Sequence, residues 1–131
     1  MGHHDEIVFG DAHFPGESNN HNVIRADGLE INALLDAILP LMVLDHAVDY
    51  PVIMMEPVEK DRSSTTLMEK YQSVYEGYDH IVSQHYPDTP PILKIDKFEF
   101  YKRASKAFAV VMTGDLRIYS NLILIKGVTT W

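Results

Sequence analysis

Between Thr66 and Val82 the apolar residues Leu67, Met68, Tyr71, Val74, Tyr75, Tyr78, Ile81 and Val82 recur at the helical period. A helix with such a stripe has to bury it, and the segments available to cover it are short and β-like. Val52 to Met55, Ile92 to Ile95, Phe108 to Thr113 and Leu122 to Ile125 each read as a buried strand, and residues 6–12 and Val23 to Ala26 as two earlier ones. YPDTPP ends the long helix. A second helix is expected from a cap at Asn32 through Met42, and a third from Phe98 to Ala107. Strands alternating with helices argue for a layered α/β domain. The tyrosines of the long stripe read as core.

At 131 residues the chain is expected to form a single domain over 1–131, without internal repeats. Leu34, Leu35, Ile38, Leu39, Leu41 and Met42 cover most of the 32–42 helix, which suggests a sheet on one side of it and another subunit on the other. The formal net charge is −8, with no concentration of basic residues, so nucleic acid and anionic membrane are not expected partners. The longest apolar run, ALLDAILPLMVL, is broken by Asp36 and Pro40 and is too short to span a bilayer. The absence of cysteine rules out disulfides and thiol chemistry and suits a reducing cytoplasm. Pro15 with Gly16 and ESNNHN reads as a loop, Asp27 with Gly28 as a turn, and EPVEKDRSST as a charged loop.

The chain opens MGHHDEIVFGDAHFP. Two histidines running straight into a strand are too few for a purification tag, which carries about six. His3, His4, Asp5, Asp11 and His13 offer nitrogen and oxygen donors to a divalent metal. Adjacent residues on a strand point apart, however, and no HxH or HxxxH pair is present, so no metal site is expected. GxGxxG, GxxxxGK[ST] and GxSxG are all absent, leaving nucleotide binding and a nucleophile elbow without support. The expected chemistry needs no cofactor.

MGHHDEIVFGDAHFP, VIRADGL, FEFYKRASKAFAVVMTG and YSNLILIKGV, in this order, resemble the L-fucose mutarotase family, which shares a branch with the D-ribose pyranases. The resemblance covers nearly the whole chain and implies a three-layer α/β/α sandwich. It also implies rings of subunits, commonly decamers of two pentamers, with sites near subunit boundaries. The family's usual helix before the GH motif, roughly LLxxLAxMGHGDE, is expected to be absent or trimmed here. His3 matches the catalytic acid/base, Asp11 the acid that binds sugar hydroxyls, and Tyr119 and Asn121 of YSN the sugar-contacting pair. His4 stands where glycine or a small polar residue is common. Lys97 falls where the fucose branch often carries arginine, which bears on substrate identity rather than reaction type. Arg25 and Asp27 are family features that an ion pair or a turn explains equally well.

The implied reaction interconverts the α and β anomers of L-fucose or a related aldose. The proton leaves the C1 hydroxyl, the ring opens to the aldehyde, and it closes on the other face. Only protons move. A histidine exchanges protons readily near neutral pH, and a positioned acid/base group contributes about 10²- to 10⁴-fold. An ionised Asp11 accepts from hydroxyls, Asn121 donates and accepts, and Tyr119 does either. The alternative is a sugar-binding or regulatory protein with the same pocket and no useful catalysis.

Overall fold

The computed structural model describes residues 1–128. Its strands are β1 (Glu6–Gly10), β2 (Val23–Ala26), β3 (Val52–Met55), β4 (Leu93–Ile95), β5 (Ala109–Thr113) and β6 (Leu122–Ile125). Its helices are α1 (Gly16–Asn19), α2 (Ile31–Ile38), α3 (Glu59–Arg62), α4 (Thr65–His85) and α5 (Lys97–Lys106). The six strands form one sheet in the order β2-β5-β1-β6-β3-β4. β5 runs parallel to β1 and β2, and β3 parallel to β4. β6 is antiparallel to both its neighbours, pairing Phe9 with Leu122 and Glu6 with Ile125. Five strands therefore point one way, and β6 alone begins where they end.

Both faces of the sheet are covered, so its strands are apolar on alternate sides and read as continuous apolar runs. Phe9, Val52, Met54, Val111, Leu122 and Leu124 pack against α2 and α4. Val8, Ile53, Met55, Val110, Met112 and Ile123 pack on the other side with Phe14 and with Phe100 and Ala104 of α5. This is the three-layer α/β/α arrangement expected from the family resemblance. The α4 stripe is core, as its spacing predicts: Tyr71, Val74, Tyr78 and Val82 are buried. Each such side chain contributes about 1.5–3 kcal/mol. Their hydroxyls are not left dry either. Tyr71 donates to the Met55 carbonyl at 2.9 Å and Tyr78 to that of Ser120 at 2.8 Å, so α4 anchors two strand ends.

α2 differs from expectation. It starts after Glu30 and stops at Ile38, and Leu39 to Met42 form turns around Pro40. Leu41 is 87% exposed, and Ala33, Asp36 and Ala37 face solvent. The helix has one buried face, so the physical ground it offered for a neighbouring subunit falls away. Two expected loops hold single helical turns, α1 within GESN and α3 within EKDR. Both are too short for an apolar period to mark them. β1 ends at Gly10 rather than residue 12, because the next backbone N–H has a different partner.

Candidate active site

Ligands in open α/β sheets bind beyond the carboxyl ends of the parallel strands. Here that edge gathers Asp11 after β1, Met55 closing β3 and Lys97 following β4. It also gathers Tyr119 and Asn121 ahead of the reversed β6. The Asp11 N–H leaves the ladder and donates to Asn121 Oδ1 at 2.7 Å. Asp11 Oδ1 accepts the His13 N–H at 2.9 Å. A Cβ on Gly10 would lie 2.8 Å from that of Phe14, so glycine is what allows the chain to turn back here. Asp11 is 6% exposed. Burial pushes its carboxyl above the usual carboxylate value, partly offset by the His13 N–H and charge.

Tyr119 has a left-handed backbone with φ 57°, costly for a side-chain-bearing residue. Its hydroxyl donates to Asp61 Oδ2 of α3 at 2.6 Å. Burial first, then that bond, raise the phenol above its usual value. The hydroxyl oxygen also accepts the Val58 N–H at 3.5 Å, so the tyrosine has a lone pair, not its proton, to offer a ligand. The loop that carries it is set by Asp115 and Arg117. Asp115 is buried, accepts the Ile31 N–H that starts α2 at 3.1 Å, and holds the Arg117 fork at 2.7 and 2.9 Å. Burial alone would raise the Asp115 carboxyl, but the Arg117 guanidinium and the N–H groups of Arg117 and Ile31 together outweigh it and hold it low.

Lys97 is the first residue of α5, after the capping Asp96, with Nζ 5.6 Å from the centre of the Tyr101 ring. A cavity of about 210 Å³ is lined by Asp11, His13, Lys97, Tyr101, Tyr119 and Asn121, among others. It is smaller than the roughly 300 Å³ at which drug-sized sites begin. Its polar groups are acceptors on Asp11 and Tyr119 facing donors on Lys97 and Asn121, which suits a small polyol. A wider cleft of about 550 Å³ lies nearby along β5. There Arg25 is already paired with Asp27 at 2.8 Å and Glu17 at 3.3 Å, the ion-pair reading of those residues.

His3 is elsewhere. It precedes β1, so the five residues of that strand, at about 3.3 Å each, separate it from Asp11 by more than a monosaccharide's length. At this end His3 Nε2 lies 3.3 Å from Asp45 Oδ1 and His4 Nδ1 lies 2.5 Å from Asp45 Oδ2. The two imidazoles stack with centroids 3.7 Å apart. The donor atoms of this trio lie within 4.8 Å of one another. Four of the five expected site residues thus line one cavity and the fifth does not reach it.

Asp45, Asp61 and Tyr101 had no signal in the sequence. Asp45 sits in an irregular stretch after α2, and Asp61 is one charge among several in EPVEKDRSST. His13 stood among the candidate metal donors, but its proximity to Asp11 through a turn is a tertiary fact.

A model of the RbsD / FucU transport protein family matches residues 1–129. The chain belongs to this family. An L-fucose mutarotase of Haemophilus influenzae (strain 86-028NP) is 44% identical over 129 residues, spanning 98% of this chain and 85% of the relative. The solved fucose mutarotase of Streptococcus pneumoniae, in complex with L-fucose, is 38% identical with TM-score 0.88 and covers 99% of this chain and 87% of that one. FucU of Bifidobacterium longum is 34% identical, with TM-score 0.88 over 99% of this chain and 89% of its own. In this member of the RbsD / FucU family the backbone at position 4 is one that glycine would suit. His4 has φ 70°, a conformation that glycine adopts without strain and that other residues adopt only when something holds them there.

Proposed function

We propose that the chain interconverts the α and β anomers of L-fucose, or of a closely related aldose, by general acid/base ring opening and closure, as a cytoplasmic homo-oligomer. The observation that carries this reading is the convergence of Asp11, Lys97, Tyr119 and Asn121 on one small cavity at the carboxyl edge of the sheet. The named relatives supply the sugar. Asp11, once ionised, accepts from a pair of hydroxyls, and Tyr119 accepts because its own proton is committed to Asp61. The Asn121 Oδ1 is likewise committed to the Asp11 backbone, leaving its NH₂ to donate, and Lys97 brings a charged donor.

His3 supplies the proton shuttle. Since one chain cannot bring His3 to its own Asp11, each site takes the Asp11 cavity of one chain and His3 from a neighbouring copy. That requirement, rather than an apolar helix, is what favours an oligomer. Saturation-transfer NMR with L-fucose and D-ribose tests the reading, with the expectation that the protein speeds exchange between the α and β resonances of L-fucose. Sugar binding with exchange at the uncatalysed rate would replace the enzyme by a sugar-binding protein.

A further inference from the structure

We propose that Asp45 is a positioning residue for His3: its carboxylate holds the Nε2–H of the ring, leaving Nδ1 as the nitrogen that exchanges protons with the sugar. The proposal rests on reading His3 as the acid/base.

Asp45 is fixed before either histidine is considered. Its N–H donates to the Ile125 carbonyl at 3.0 Å, and Leu44 bridges to Lys126. A Cβ on Gly127 would lie 2.5 Å from the Leu44 carbonyl oxygen, so the glycine allows this segment to lie against the end of β6. His4 hangs on the same strand end, its N–H donating to Lys126 O at 2.9 Å. The carboxylate and the histidine pair therefore share one rigid support.

The carboxylate is 1% exposed beneath the two rings. Burial would raise it, but the Ala47 N–H and both imidazoles outweigh burial and keep it below the usual value, hence ionised. An ionised carboxylate only accepts. The His3 nitrogen 3.3 Å from Oδ1 must then carry the hydrogen, and a neutral imidazole has only one, so the lone pair is on Nδ1. Oδ1 also accepts the Ala47 N–H at 2.8 Å. Apart from the His4 ring, Oδ2 has no partner among the described residues. His4 thus occupies the second oxygen and lays its ring along His3, which limits rotation of that ring. This contact is what holds a non-glycine residue at φ 70°.

In the reaction the C1 hydroxyl proton passes to Nδ1 as the bond from C1 to the ring oxygen breaks. The bonding pair leaves on the ring oxygen, which takes the proton back from Nδ1. Nε2–H stays on Asp45 throughout, and closure on the other face reverses the steps.

Nitrogen-15 spectra of the imidazoles decide the point in the unliganded protein. They are recorded in buffer with EDTA at about pH 8, above the usual imidazole value of about 6.5. The expected result is His3 as the Nε2–H tautomer, and an Nδ1–H tautomer overturns the proposal. Asp45→Asn, whose amide can donate to the ring, is expected to mix the His3 tautomers. It should also lower kcat by about tenfold or more, because the wrong tautomer presents no base, with KM changed by less than about twofold. An unchanged tautomer and unchanged kcat in this variant also overturn it. If Asp45→Asn does not fold, the wild-type spectrum still decides. Anomer exchange surviving in His3→Ala would remove the acid/base reading of His3, whereas the spectrum reports on Asp45 whatever the activity.

Discussion

The two ends of β1 and β6 are built on opposite plans. At the carboxyl edge, Asp11, Lys97, Tyr119 and Asn121 come from segments far apart in sequence, tied by Asn121 to the Asp11 backbone and by Asp61 to Tyr119. At the other edge, two consecutive exposed histidines close over one buried carboxylate. The first end is a cavity of converging hydrogen-bonding groups suited to recognising a ligand. The second presents two partly exposed imidazoles at the surface. The difference teaches that the groups read here as binding the sugar and as moving its proton lie a strand's length apart on one chain, so that the proposed reaction requires two copies to bring them together.

The largest effect expected is from His3→Ala, which should lower anomer exchange by on the order of 10²-fold or more while the circular dichroism spectrum is unchanged, since the role proposed for this exposed ring is proton transfer rather than packing. If the ends work together across chains, His3→Ala mixed with Asp11→Ala and reassembled should recover about one quarter of wild-type exchange, the share of sites formed from two intact halves in a head-to-tail ring. No recovery in verified mixed oligomers would break the comparison, because His3 would then not complete the Asp11 cavity of a neighbouring copy. Light scattering should correspondingly give a mass several times 14.9 kDa.

Lys97 probes the cavity end alone. Lys97→Ala should weaken sugar affinity by about 1–3 kcal/mol, and Lys97→Arg should sharpen preference for L-fucose over D-ribose, because a planar fork holds two oxygens where an ammonium is a mobile point charge. Unchanged affinity in titrations of both sugars would show that Lys97, although it lines the cavity, does not bind the sugar.

Asp115→Asn should cost about 2 kcal/mol of stability, less than a fully buried pair because Arg117 is partly solvated. The Asp115 carboxyl is held below its ordinary value of 3.8, so its contribution is present above that pH and is lost as pH falls through the lower folded value. Urea titrations should therefore find the gap between wild type and variant narrowing below about pH 3.8. Prolonged chelation should have the smallest effect of all, leaving exchange unchanged, and activity restored specifically by zinc would reassign the His3, His4 and Asp45 trio.

The alternation of apolar runs with a helical stripe was enough to read the α/β class and most of the strands, because a sheet covered on both faces must be apolar on both sides of each strand. Motif order was enough to find the family and to nominate Asp11, Lys97, Tyr119 and Asn121. The end of α2 was misread because apolar residues in a turn, such as Leu41, carry the same letters as those in a helix. Asp45 and Asp61 were illegible for a related reason. A carboxylate's role depends on what folds against it, and those partners lie 42 and 58 residues away in sequence. The sequence by itself determined which residue types are available and the local period that makes strands and helices of them. Only the tertiary structure decided that β6 runs against the other strands, placing Asn121 beside Asp11 and Lys126 beside His4, because strand direction is settled by long-range pairing that no local pattern encodes.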